Sequence, residues 1–133
     1  MRGNEAMNFL KNHTYTWEEI LAGTDAVAGP VFYLLRERGT QTVKAACLGI
    51  EVNPRAPYEI IPAIGQFISP WADNLCQQSQ AIPVFVRELD KNYYYRGMFK
   101  VAGQSSDPEE IRLRGVQCHR TDIYKIIFLT EVV

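Results

Sequence analysis

The stretch AIPVFVRELDKNYYYRGMFKV, residues 81–101, decides how the rest of the chain folds. Residues 82–88 are apolar and β-branched, Asp90-Lys91-Asn92 supplies turn chemistry, and residues 93–101 restart with aromatics that suit a pleated sheet. The pattern predicts a β-hairpin. In its second strand the period of two puts Tyr93, Tyr95, Phe99 and Val101 on one face, expected in the core, and Tyr94, Arg96, Met98 and Lys100 on the other. Gly97 interrupts that strand where a side chain would normally pack, which marks a bulge or a close backbone approach.

Around this hairpin, 133 residues suffice for one domain, 1–133, able to bury about two-thirds of the surface its unfolded chain exposes. With 47% hydrophobic residues and a net charge of -1, no bulk field points to nucleic acid, membrane or an acidic partner. Any polyanion site must therefore be a local patch. Cys47, Cys76 and Cys118 are odd in number and far apart, which fits neither a disulfide framework nor zinc-ligand spacing, so a reduced, cytoplasmic protein is expected. The sequence shows no signal peptide and no apolar run near the roughly 20 residues of a membrane span, so no membrane partner is expected.

Residues 1–13 are polar and expected to be loosely held. Thr16 reads as a helix N-cap, because Glu19 completes a capping box ahead of Trp17, Ile20 and Leu21; the helix should end near Gly23. Residues 31–36 and 42–52, joined by Glu37-Arg38-Gly39-Thr40, predict a second hairpin. Asn53-Pro54-Arg55-Ala56-Pro57 must be a shaped loop, since each proline removes an amide donor. A short strand follows over residues 58–64. Ser69 and Pro70 then read as N-cap and N1 of a helix to about Gln78, with Trp71, Ala72, Leu75 and Cys76 on its apolar side. Asp107-Pro108-Glu109-Glu110 starts one or two further helical turns, and residues 123–133 close with a β-branched strand.

The sum is an α+β chain: a small, mainly antiparallel curved sheet or PUA-like β-barrel, with one moderate helix and one or two short ones at its edge. The residues favour no catalytic site. His13 and His119 adjoin no nucleophile elbow, Cys118-His119 lacks a second metal-binding pair, and there is no phosphate-cradling glycine loop or acidic cluster. No catalytic residue, metal or cofactor is expected. A binding constellation remains. Tyr58, Trp71, Tyr94 and Arg96 suit stacking on or gripping a planar group, and the amides of Asn53 and Gln66 suit reading its edge, as a flipped base requires. Arg112, Arg114 and Arg120 belong to the only run able to touch several phosphates. For any single aromatic or arginine, the plainer readings are core packing and a solvated loop.

The order of the Asn53-Pro54-x-Ala56-Pro57 loop, a strand ending in Gly65-Gln66, a helix ending in Gln77, then Ile82-Pro83-Val84-Phe85-Val86 and Tyr95-Arg96-Gly97-x-Phe99-x-Val101 resembles the SRA-like, PUA-superfamily domains that accompany modification-dependent restriction endonucleases. The resemblance spans about residues 30–133. Only Gly65-Gln66 remains of the family's tyrosine- and glycine-rich stretch, and its acidic residue has no counterpart except Asp73. The resemblance implies a barrel whose concave face receives an extruded, modified base in DNA, loops on the flanking phosphates, and a nuclease partner for cleavage. Two readings from other classes stay open: a protein-interaction or assembly module using the hairpin edge or the Trp71 helix, homo-oligomers included, and a small-ligand-binding β-barrel.

Overall fold

In the computed structural model, which describes residues 9–29, 31 and 33–133, the expected hairpin is the centre of an α+β fold. The strands are β1 (Thr14–Tyr15), β2 (Leu34–Arg36), β3 (Val43–Gly49), β4 (Glu59–Ile60), β5 (Ile82–Arg87), β6 (Tyr93–Ser105) and β7 (Ile126–Glu131). The helices are α1 (Trp17–Thr24), α2 (Ile68–Gln77) and α3 (Pro108–Cys118). The strands form one open sheet of seven in the order β2-β3-β5-β6-β7-β4, with β1 beside the start of β6. Every pairing is antiparallel except β3–β5. The sheet is thus mainly antiparallel as expected, and the one parallel pair arises because the chain leaves β3, visits the far edge as β4 and returns through α2.

The β5–β6 hairpin is interior. β5 lies between β3 and β6, while β6 pairs β1 at its start and β7 at its end. The hairpin edge considered for partner binding is therefore occupied. The turn forms as its residues dictate: the Asn92 N–H donates to Asp90 Oδ1 at 3.0 Å and Lys91 takes a φ of 70°.

Alternation along the strands divides the core between two faces. Ala46, Leu48, Val84, Val86, Ile127 and Leu129 pack with Trp71, Ala72 and Leu75 of α2. On the opposite face Ala45, Cys47 and Phe85 meet Ile20 of α1, and Ile126 and Phe128 meet Ile111 and Cys118 of α3. The bulge announced by Gly97 is present. Phe85 pairs with Tyr95 but Val84 pairs with Gly97, which leaves Arg96 as the extra residue. Gly97 has a φ of 120°, and a Cβ there would lie 2.8 Å from Glu131 Oε2. This inserted residue overturns the single-face expectation for β6. Tyr95 packs on the α1 side and Phe99 on the α2 side.

Two of the three helices start at side-chain caps. Thr16 and Glu19 close the expected capping box before α1, at 3.1 and 2.8 Å. Asp107 accepts the Glu110 N–H at 2.9 Å with Pro108 in the first turn of α3. The helix then runs 11 residues, longer than the one or two turns expected. It ends with His119 in the left-handed region and the Arg120 N–H on the Gly115 carbonyl at 2.9 Å. α2 begins two residues early, at Ile68, with Phe67 at its N-cap and no side-chain cap bond. Ser69 instead accepts the Gly65 N–H at 3.1 Å. Residues 1–8 of the expected loose segment lie outside the described residues. Residues 9–13 are tied down: the Asn12 N–H reaches the Tyr95 carbonyl at 2.7 Å, and Lys11 pairs with Glu131 at 2.6 Å. No helix among the described residues is long and apolar enough to cross a membrane.

Candidate functional site

The six residues expected to build a base pocket are spread over the β3–β4 loop (Asn53, Tyr58), the loop before α2 (Gln66), α2 (Trp71) and β6 (Tyr94, Arg96). Asn53 is buried, and its Oδ1 accepts the Ile61 N–H at 2.9 Å, so its amide braces the loop between β3 and β4. Trp71 is a core residue of α2 with 9% of its surface exposed, which is the plainer reading of an aromatic on an amphipathic helix. Tyr58 is exposed and stands edge-on to Phe99. Gln66 is exposed on the loop before α2, between exposed Ile64 and Phe67. Tyr94 donates its hydroxyl to Asp90 at 2.6 Å, and that bond raises its pKa. Arg96 sits in the bulge, 3.7 Å from Glu88. Of the six, only Asn53 borders any of the five principal cavities.

The three expected phosphate-binding arginines are all partnered. Arg112 makes a two-pronged bond to Glu109 on the surface of α3, at 3.0 and 2.6 Å. Arg114 does the same with Glu59, at 3.1 and 2.8 Å, with side chains only 12% and 11% exposed. Arg120 donates Nε to Asp122 and Nη1 to the carbonyls of Val52 and Ile61, which clamps the loop after α3 to the segments before and after β4. A chain-local count of cations registers their charge but not these acids, one of which lies 55 residues away.

A base-sized cavity opens elsewhere, on the sheet face that carries α1 and α3. It has a volume of about 590 Å³, and its wall includes Glu37, Lys44, Gln80, Pro83, Tyr95 and Met98. Pro83 and Met98 face each other across β5 and β6. The Arg96 bulge is what brings Tyr95 and Met98 to one face, because without the inserted residue they would point to opposite sides. Lys44 reaches the Asp25 carbonyl at 3.3 Å and has no acid partner among the described residues. Lys100, two residues past Met98 on the same face and opposite Thr130, is exposed and likewise without one. So is Arg38 in the adjoining β2–β3 turn. The Gln80 amide makes no hydrogen bond among the described residues, which leaves both a donor and an acceptor for a ligand. Glu37 is the one carboxylate on the wall.

No protein-family model, curated protein or solved structure matches the chain. The resemblance to SRA-like domains thus rests on the loop, helix and hairpin residues quoted for it.

Sequence reading placed Met98 and Lys100 together on the strand face opposite the expected core without assigning either to the site, and missed Lys44 and Gln80. Lys44 carried a signal, as the lone charge inside the otherwise apolar β3. Gln80 carried none.

A second polar cluster ties α2 to the start of β7. The Lys125 ammonium, on a side chain 7% exposed, donates to Asp73 at 2.7 Å and to Gln104 at 2.6 Å, and the Tyr124 hydroxyl donates to the same Asp73 carboxylate at 3.1 Å. Burial pulls the Lys125 pKa down, but its bond to Asp73 with the nearby Cys76 and Tyr124 outweighs this and leaves it raised. The Lys125 hydrogen bond, working against some desolvation, holds Asp73 below its ordinary value. Cys76, beside them, is raised chiefly by burial, so it is a thiol rather than a ready nucleophile. With both charges matched and the acceptors engaged, this cluster is a clamp.

Proposed function

We propose that this chain is a non-catalytic DNA-binding domain whose sheet-face cavity receives a modified base turned out of the strand, with Lys44, Lys100 and Arg38 on the flanking phosphates. One observation carries the reading: a cavity of about 590 Å³, walled by a tyrosine ring, a thioether and a free amide, adjoins cations that no described acid neutralises. An extruded base needs flat apolar walls and an edge reader, and the strand beside it needs a few positive charges. The resemblance to SRA-like domains supports the same reading, and on it the open sheet is a variant of a PUA-like barrel. Such a domain marks a site, and a nuclease partner in the same cytoplasm performs any cleavage.

Fluorescence anisotropy with short duplexes, unmodified and carrying different base modifications, tests this. Three phosphate contacts give a slope of log affinity against log salt of about -2.7, so binding should fall about 40-fold between 50 and 200 mM salt. Lys44→Ala with Lys100→Ala should weaken binding to every duplex and reduce the slope by about two. Gln80→Ala should flatten the preference among modifications. Binding that ignores salt, or a double lysine variant that binds like the parent, would sink the proposal.

A further inference from the structure

The largest of the five principal cavities, of about 870 Å³, runs along α3 between Ser106 and His119. Its second wall is made by the way the helix ends. His119 takes a φ of 59° and the Arg120 N–H bonds to the Gly115 carbonyl at 2.9 Å, so the chain turns back beside the helix. Gly115 permits the close approach, since a Cβ there would lie 2.3 Å from the Arg120 carbonyl oxygen. The returning chain brings buried Ile123 against Gly115 and Ile111. Pro108, Ile111 and Val116 line the helix side, and Val116 stays 63% exposed.

The charges in this wall are already matched. Arg112 holds both oxygens of Glu109, and Arg120 donates Nε to Asp122 and Nη1 to two carbonyls. No carboxylate lines the cavity among the described residues. What remains unspent is hydrogen-bonding capacity: the Ser106 and Thr121 hydroxyls and the His119 imidazole make no side-chain hydrogen bond among the described residues. Size decides the kind of occupant. Cavities of about 300–1,000 Å³ with apolar walls and a few polar groups take small molecules. A stable protein interface engages about 20–30 residues a side, whereas ten of the described residues line this cavity. We infer that it binds an uncharged, largely apolar small molecule carrying a hydroxyl, with its body on Ile111, Val116 and Ile123 and its hydroxyl at the His119–Thr121 end. A charged head group sheds its hydration here without gaining an unmatched opposite charge. The site shares no residue with the sheet-face cavity and stands whether or not the chain binds DNA.

2-Naphthol, 2-naphthoate and 2-naphthylmethylamine share a ring system and differ in the head group, so calorimetric titration of each into the full chain reads the preference directly. 2-Naphthol should bind, and the two charged probes should bind at least about tenfold more weakly. Val116→Glu lies at an exposed helix position, so its thermal unfolding should match the parent's, yet it should lose about tenfold in 2-naphthol affinity. His119→Asn keeps a residue that tolerates the left-handed backbone and should weaken 2-naphthol about fivefold by removing the imidazole. Sedimentation of the parent should give a monomer. Equal affinities for all three probes, no 2-naphthol binding at millimolar concentration, full affinity in Val116→Glu, or a parent dimer that Val116→Glu dissociates overturns the inference.

Discussion

Replacing Arg114 by Met separates structure from DNA contact at the residue where sequence and structure differ most. Met keeps the packing of the stem and deletes the guanidinium. Breaking a buried ion pair by removing one partner costs about 3–5 kcal/mol, because the remaining charge stays desolvated. Two features reduce that figure here. Both side chains retain about a tenth of their exposure, and Arg55, 3.4 Å from Glu59, still faces the orphaned carboxylate. The expected loss is about 2–3 kcal/mol. For a chain of this length that is a fall in Tm of about 6–12 °C, read by thermal unfolding followed by circular dichroism. Adding Glu59→Leu removes the stranded charge and should recover most of the loss, as hydrophobic replacements of buried pairs do. DNA affinity of the folded variant, measured well below its Tm, should equal that of the parent. A variant that keeps its stability and loses DNA affinity would refute the argument, since Arg114 would then be a phosphate ligand that merely rests on Glu59.

Two further outcomes follow from the fold. Gly97→Ala should destabilise by about 1–3 kcal/mol, since a φ of 120° is unfavourable for any residue with a Cβ and the added atom meets Glu131; urea unfolding checks it, and an unchanged midpoint removes the bulge from the explanation of the site. The Asp73 pKa is depressed in the folded state, so its contribution is complete above the ordinary aspartate value near 3.9 and is lost as pH falls through the lower folded value. Asp73 is 41% exposed, which limits that contribution to about 0.5–1 kcal/mol. The stability gap between the parent and Asp73→Asn should therefore close in acid, and a gap that is the same at pH 7 and pH 2 contradicts the pairing.

What the sequence makes legible here is whatever depends on neighbours along the chain. The turn at Asp90 and Asn92, the caps at Thr16 and Asp107, and the bulge at Gly97 all need only a few consecutive residues, and all are present. The parallel β3–β5 pairing is invisible to such reading, because it depends on where the chain returns after nearly 40 residues, with Ala46 beside Val84 and Gly49 beside Arg87. The faces of β6 fall between the two cases. Gly97 announces a bulge, but not which residue is inserted. With Arg96 as the extra residue, the alternation reverses, and Phe99 moves from the company of Tyr95 to that of α2.

The same distinction governs the charges. Arg112, Arg114 and Arg120 form the densest basic run, yet each meets an acid, and only the Glu109–Arg112 pair lies at a helical spacing readable from sequence. Lys44 and Lys100 look incidental in the sequence, yet no described acid neutralises them. For an electrostatic site what counts is the charge left after pairing, which explains how a chain of net charge -1 can still carry a cationic strip. A strip of two lysines and one turn arginine gives weak, shallowly salt-dependent attraction to any nucleic acid. If the proposed function holds, discrimination must then come from the cavity walled by Tyr95, Met98 and Gln80, which would receive the base. On this reading the ratio of affinities for modified and unmodified duplexes should survive the lysine substitutions even as both affinities fall, whereas a protein that merely adheres to polyanions would show no ratio to preserve.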